Sequence, residues 1–340
     1  MKFSDDPRFL IADVPPHVAC SVLNIANDAG YSSDRVCKGL GFGPDDLTNP
    51  HCRLSYRQIK ELVVRVRDAM GDASVGLVSG ARQTPLSWGL VGVAMMSCPT
   101  FREAAMYGIQ HQNDAGALLT HDAYLDAKTF TLEVKTRYPD PEFEPFLVED
   151  SLCSVVSVAR ALLGPGYRPS LVEVAYKPPK YAKLYARHLL CDVRFGAGVN
   201  RMVSDVAWLD SPIGSYDPYT CGAILTHINS LLTQRTSQMD LVESVRSYVA
   251  RNLEQSFTAG DIAADLGLSE RTLRRRLADL GLNFRSVVDK VRHDQALQLL
   301  HDADRSVSEI SAVTGYSDAR NFTRAFKRWT GESPTNLRKK

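Results

Sequence analysis

Two short segments carry residue types suited to reading another molecule through directed hydrogen bonds: ERTLRRRLADL (270–280) and DARNFTRAFKRWT (318–330). Leu273, Leu277 and Leu280 recur at i, i+4 and i+7 in the first. Phe322, Ala325, Phe326 and Trp329 do so in the second, so each reads as a helix with one apolar face. Opposite those faces stand Arg271, Thr272, Arg274 and Arg275 in one helix and Arg320, Asn321 and Arg324 in the other. A guanidinium forks onto two acceptors of guanine, and a carboxamide matches the donor and acceptor of adenine, so these types suit base edges in a major groove. Lys327 and Arg328, farther along, suit phosphates. A single basic helical face is usually only solvated; here the arrangement comes twice.

Each basic helix needs a partner to prop it. Ala259–Leu266 offers Ile262, Ala263 and Leu266 on one face, Gly267 supplies a left-handed turn, and Ser269 is a natural N-cap for the first basic helix. Val307, Ile310 and Val313, then Gly315 and the anchoring Tyr316, repeat the logic 48 residues later. Between them Phe284–Leu300 reads as one amphipathic helix (Val287, Val288, Val291, Ala296, Leu299, Leu300) able to act as a rigid spacer. Two such helix-turn-helix units about 34 Å apart would reach successive major grooves on one side of a duplex.

The remaining chain reads as mixed α and β. Tyr56–Met70 has helical spacing, and Thr100 with Glu103 forms a T-x-x-E capping box. Ala117–Thr120, Thr129–Lys135 and Leu171–Tyr176 read as strands, and Asp150–Leu163 and Lys180–Leu190 as helices. The loop 210–218 and a helix from Tyr219 to about Thr233 lead to the polar run TQRTSQ. The expected organisation is therefore residues 1–232 as a first domain, 233–238 as linker and 239–340 as a second. The fold class is α+β: a mixed α/β amino-terminal domain followed by an all-α domain with two helix-turn-helix units joined by a spacer helix.

Charge is unevenly placed. Residues 239–340 hold 17 Lys and Arg against 14 Asp and Glu, whereas the rest hold 23 against 25. Seven scattered cysteines without a C-x-x-C pair fit reduced thiols, so neither disulfides nor a metal site is expected. The first residues lack the basic and apolar runs of a signal peptide, and no window has eighteen consecutive apolar residues. A cytoplasmic, nucleoid-associated protein without a membrane segment is expected. No H-e-x-x-h, P-loop or G-x-S-x-G pattern occurs, so the expectation is no enzyme, no catalytic residues and no cofactor. An enzyme with an appended DNA-binding module and an architectural DNA-binding protein are the alternatives.

The carboxy-terminal hundred or so residues resemble the DNA-binding domain of AraC/XylS-type bacterial regulators. The resemblance rests on Arg292, Ala296, Leu299 and Leu300, on Ile310, Gly315, Tyr316, Asn321, Phe322, Arg324, Phe326, Lys327 and Arg328, and on Gly331, Pro334 and Arg338. Ser311 and Leu337 are mild departures. The resemblance places base contacts at Arg271, Thr272, Arg274 and Arg275 in the first unit, and at Ala319, Arg320, Asn321 and Arg324 in the second.

Residues from about 16 to 212 resemble the arabinose-binding-type sensor domain of one subgroup, through VGLVSGARQTPLSWGLVGVAMMSCPTFREA (75–104) and LDSPI (209–213). This implies a ligand-responsive regulator, more often an activator, with promoter DNA, a small-molecule effector (an amino acid or a fatty acid among the candidates), RNA polymerase and a second copy of the chain as partners. Ile224, Leu225, Ile228, Leu231 and Leu232 form a stripe open to dimer contact or to internal packing. The effector's residues are not identified. Trp88 and Met95–Met96 either line a pocket or fill the core, His111 and His121 either meet something polar in a ligand or are isolated surface residues, and Lys177, Lys180 and Lys183 with Tyr176, Tyr181 and Tyr185 either hold an anion or form a solvated basic helix.

Overall fold

Alternation of buried and exposed residues builds the larger of the two sheets found among the described residues. In the strand Thr129–Thr136 the side chains of Phe130, Leu132 and Val134 are buried and their neighbours are not, the pattern of a sheet with one covered face. The computed structural model describes residues 9, 12–49, 52–137, 139–255, 257–280, 282–300, 305–330 and 332–338. It divides into two units, Met1–Ser230 and Leu231–Lys340. Gly331, part of the resemblance, lies outside the described residues.

The first unit opens with β1 (Ala12–Val14), α1 (His17–Asp28), α2 (Ser33–Cys37), β2 (Leu54–Ser55) and α3 (Tyr56–Met70). α3 begins where expected, on a capping box in which Ser55 Oγ accepts from Gln58 N at 3.2 Å and Gln58 Oε1 from Ser55 N at 2.9 Å. α4 (Val75–Ala81), α5 (Gly89–Met96) and α6 (Phe101–Gln110) follow. At α6 only half of the expected box forms: Thr100 caps Glu103 N.

The sheet strands are β3 (Leu119–Leu125), β4 (Thr129–Thr136), β5 (Leu171–Val174), β6 (Asp192–Phe195) and β7 (Arg201–Asp205), in the order β3-β4-β7-β5-β6. Only β5 and β6 run parallel. β3 starts two residues later than expected, because Ala117 N still bonds Gln112 O at 3.0 Å in the turn after α6. The central helix α7 (Glu144–Leu163) starts six residues earlier than expected, since Pro145 is compatible with a first helical turn. It packs on α4, β3 and β4. Segment 180–190 is a 3-10 turn, Ala182–Leu184, followed by the short α8 (Tyr185–Leu189).

α9 (Pro218–Arg251) is longer than expected: it runs unbroken through 233–238, the expected linker. TQRTSQ contains no glycine or proline, so nothing in it ends a helix. Ile228 and Leu232 of the apolar stripe are buried within the chain, and Ile224, Leu225 and Leu231 are half-buried.

Helices make up the second unit: the end of α9, α10 (Ala259–Asp265), α11 (Glu270–Asp279), α12 (Phe284–Leu300), α13 (Val307–Val313), α14 (Ala319–Thr330) and α15 (Pro334–Arg338). Two cores form. Val245 and Val249 of α9 meet Ile262, Leu273, Leu277 and the amino-terminal half of α12 (Val287, Val288, Val291). The carboxy-terminal half of α12 (Ala296, Leu300) meets Ile310, Phe322 and Phe326. The spacer helix therefore belongs to both.

Candidate nucleic-acid interface and interior cavity

The near-repeat in the sequence is a repeat of hydrogen bonds. Thr258 and Asp261 form the capping box of α10, and Ser306 and Glu309 form that of α13, 48 positions on. After each helix the chain turns through a glycine of positive φ, +65° at Gly267 and +78° at Gly315. Each turn is closed by an equivalent bond: Leu268 N to Ala263 O at 2.7 Å, and Tyr316 N to Ser311 O at 3.0 Å. The recognition-type helices then slip by one residue. Ser269 Oγ caps α11 through Thr272 N at 3.1 Å, whereas Asp318 Oδ1 takes Asn321 N at 2.8 Å at the start of α14. As a result buried Leu273 and Leu277 correspond to buried Phe322 and Phe326 at an offset of 49. Arg271, Thr272 and Arg275 thus stand where Arg320, Asn321 and Arg324 stand in the second unit.

The expected contact residues fall into distinct groups. Arg271, Arg275, Arg320 and Arg324 are exposed, and among the described residues none has a carboxylate partner. Arg274 is exposed but bonds Glu270 Oε1 at 2.7 Å, one turn back, and lies over the Phe284 ring. Thr272 is half-buried, its hydroxyl 2.8 Å from Ser269 Oγ. Asn321 donates its amide to Asp318 Oδ2 at 2.6 Å, so it enters any base contact only by exchanging that bond. Ala319 is half-buried, and Lys327 is exposed. Arg328 bonds Asp289 of α12 at 2.8 Å. That tie brackets the second helix onto the spacer together with Arg292, whose guanidinium stacks 5.0 Å from the Tyr316 ring centroid.

One group was missed from sequence. A groove of about 640 Å³ runs between α12 and α14, with Arg285, Arg292, Arg324 and Arg328 in its walls against Asp289. The signal is present in Arg285 and Arg292, seven apart and so on one side of the spacer helix; Arg292 enters the sequence reading only through the family resemblance, and Arg285 not at all.

The first unit contains a cavity of about 110 Å³ between α5, α6, α7 and the sheet, walled chiefly by apolar side chains such as Met95, Phe101, Ile109, Leu132, Leu147 and Met202. Trp88 and Met95 line it; Met96 does not. His121, an isolated residue in sequence, joins it through a defined chain of hydrogen bonds. Gln112 Oε1 accepts from His121 N at 2.7 Å, which fixes the orientation of that amide. The same oxygen lies 3.1 Å from His121 Nδ1, which must therefore carry the ring proton. Nε2 is left to accept from Ser151 Oγ at 2.7 Å. Burial, with Arg137 adding to it, lowers the His121 pKa to about 4, so the ring is neutral near pH 7.

A second polar group in the wall is closed on itself. Trp88 Nε1 donates to Ser154 Oγ at 2.8 Å and Gln83 Oε1 at 3.0 Å, Ser154 Oγ donates to Gln83 Oε1 at 2.7 Å, and Gln83 Nε2 donates to Asp150 Oδ1 at 3.2 Å. Burial pushes Asp150 up to about 6, against hydrogen bonds from Ser79 and Gln83. His111 instead sits beside Asp114 with its ring tilted against that of Tyr107 at 4.5 Å, outside the cavity wall.

The lysine and tyrosine cluster at 176–185 separates. Lys177, Lys180 and Lys183 are exposed. The tyrosines turn inward onto the buried carboxylate of Glu149, which accepts from Tyr181 Oη at 2.8 Å and from Tyr185 Oη, itself 3.1 Å from Tyr176 Oη. Tyrosines already serving a carboxylate leave no joint anion site with the lysines. Burial raises Glu149 to about 7 despite those bonds, and its Oε2 has no hydrogen-bond partner among the described residues. Among the described residues no cluster of His, Cys, Asp or Glu is arranged to hold a metal ion, and no helix is long and apolar enough to cross a membrane.

Comparison with known proteins agrees with both halves. Residues 30–213 match the arabinose-binding amino-terminal domain of AraC transcription regulators, and residues 262–340 match a helix-turn-helix domain. The chain is 26% identical over 325 residues to the ornithine utilization regulator of Pseudomonas aeruginosa, covering 96% of each. It is 48% identical over 73 residues to the regulator VqsM of the same species, 22% of each chain. The crystal structure of the transcriptional regulator CdpR, also from Pseudomonas aeruginosa, is similar with a TM-score of 0.47 at 21% identity, over 95% of this chain and 98% of that one. Two domain matches in this order, on a chain whose second unit holds two helix-turn-helix units, identify it: the protein belongs to the AraC family of DNA-binding transcription regulators, in the group with an arabinose-binding-type amino-terminal domain.

Proposed function

We propose that the protein is a ligand-responsive activator whose α11 and α14 read two successive major-groove segments of promoter DNA, with Met1–Ser230 as the effector-sensing unit. The observation that carries this is the pair of matched helices, each with a buried apolar face and outward arginines free of carboxylate partners among the described residues. Arg271 and Arg275 in the first unit and Arg320 and Arg324 in the second are the base-reading candidates, with Thr272 and Asn321 beside them. Arg274, tied to Glu270, and Lys327 and Arg328 suit phosphates, and Ala319 offers only van der Waals contact. A homodimer would present two such pairs to paired half-sites. The exposed start of α9, where Tyr219 is 93% exposed, is a candidate face for the second copy, and RNA polymerase is the expected target of activation.

The test is selection of bound duplexes from a random library by the full chain, repeated with Arg275→Ala and Arg324→Ala. Each variant should relax preference at its own position, with the two positions about one helical turn apart. Loss of binding by the same factor on selected and random DNA would show that these side chains contact only the backbone.

A further inference from the structure

The interior cavity has a composition that selects among ligands. Its lining includes one acid, Asp150, and neither lysine nor arginine. A carboxylate placed there would be desolvated with no lysine or arginine to meet it, in a wall whose polar side chains are Asp150, the imidazoles of His17 and His121, and uncharged amides and hydroxyls; such burial is unfavourable. Neutral His121 offers no charge either. The size is equally restrictive, since about 110 Å³ is somewhat less than the ~150 Å³ of an engineered apolar cavity that takes benzene. That is the scale of a single small ring rather than of an extended acyl chain.

The polar groups add a direction. The circuit of Trp88, Gln83, Ser154 and Asp150 is internally matched, donor to acceptor. The His121 relay is not. It begins at a backbone N–H, which sets the Gln112 amide, which sets the proton on Nδ1, which leaves Nε2 to take the Ser151 hydroxyl proton. Ser151 Oγ is thus the open end of the relay, with its donor spent and its lone pairs still able to accept.

We infer that this cavity is the effector site, and that its ligand is a compact, uncharged, mainly apolar molecule of the phenol class, whose hydroxyl donates to Ser151 Oγ. The inference rests on the reading of the first unit as effector-sensing, and it sets aside the amino acid and fatty acid candidates, both of which bring a carboxylate.

The experiment is calorimetric titration of the full chain with phenol, toluene, benzoate and leucine, on the wild type, Ser151→Ala and the cavity-filling Ala105→Leu. Phenol should bind about three- to tenfold more tightly than toluene, the contribution of one hydrogen bond. Ser151→Ala should remove that advantage while leaving toluene binding as it was, which also reports that the variant is folded. Ala105→Leu should weaken both. Benzoate or leucine binding more tightly than phenol, and lost in Ala105→Leu, would overturn the ligand class while keeping the cavity as the site. Binding of no probe, or binding indifferent to Ala105→Leu in a variant that melts like the wild type, would overturn the cavity itself.

Discussion

The two units handle charge in opposite ways. The amino-terminal unit draws ionisable groups inward: Glu149, Asp150 and His121 sit among apolar neighbours, each held by fixed hydrogen bonds. The carboxy-terminal unit has cores built of aliphatic and aromatic side chains and turns the arginines of α11 and α14 outward. Buried charge is sensitive to small changes in its surroundings, because desolvation there is not offset by water; exposed charge can be exchanged against a passing phosphate or base at little cost. A unit suited to responding and a unit suited to contacting differ in this way before any ligand is considered.

The largest test of this contrast concerns the backbone that holds the outward arginines. At Gly315 a Cβ would lie 2.1 Å from the Leu253 carbonyl oxygen, in addition to requiring positive φ, whereas at Gly267 nothing lies within 4 Å. Gly315→Ala should destabilise the second unit by more than about 3 kcal/mol and abolish specific DNA binding, while Gly267→Ala should cost only ~1–2 kcal/mol. Equal melting temperatures for the two variants would show that the second turn is not pressed against the backbone at Leu253, just past the end of α9.

Next in size is the pH response of the first unit. Glu149 titrates at about 7 in the folded chain against an ordinary 4.5. Below about pH 4.5 it is protonated folded or unfolded and imposes no cost. As pH rises from there the unfolded chain ionises first, so stability falls until about pH 7 and then levels. Urea titrations at a series of pH values should show this loss, at most a few kcal/mol, and Glu149→Gln should flatten it. Parallel profiles for wild type and variant would mean that the carboxylate is already ionised in the fold.

Smaller again is the effect of one outward arginine. Arg324→Ala should reduce discrimination at one base pair by ~1–3 kcal/mol with little change in thermal stability. A drop in melting temperature that accounts for the lost binding would make Arg324 a structural residue. Least is expected from Asp289→Ala, which releases the largely exposed Arg328: under 1 kcal/mol in stability. A loss of several would mean that this ion pair, rather than the shared apolar core, holds α14 on α12.

What could be read from sequence follows the same division. α11 and α14 were legible in leucine and aromatic spacing because their apolar faces are set by local periodicity, and the turns were legible at Gly267 and Gly315. The slip from Ser269 to Asp318 as capping residue was not, because Ser317 occupies the repeating position and only coordinates reveal which side chain caps. In the first unit β6 and β7 escaped notice. They are four and five residues long, and β7 pairs with β4 and β5 across non-local separations, Thr129 with Asp205 and Leu171 with Val203. Which of His111 and His121 joins the cavity was not legible for a similar reason: Gln112 and Ser151, which define the His121 proton, come from a turn and from α7. The two readings of the tyrosines and lysines at 176–185 could not be separated in sequence, because proximity along the chain says nothing of which way a side chain turns.

Because α12 contributes Val287, Val288 and Val291 to one core and Ala296 and Leu300 to the other, neither helix-turn-helix unit is a separable module. Cutting the chain anywhere along that helix would leave an apolar flank bare on both fragments. The second unit should accordingly lose amide protection in hydrogen exchange as one cooperative block, α10–α11 together with α13–α14. For evolution the same arrangement means that a substitution in α12 is tested twice, so new DNA specificity is more readily gained on the outer faces of α11 and α14 than by exchanging one reading unit for another.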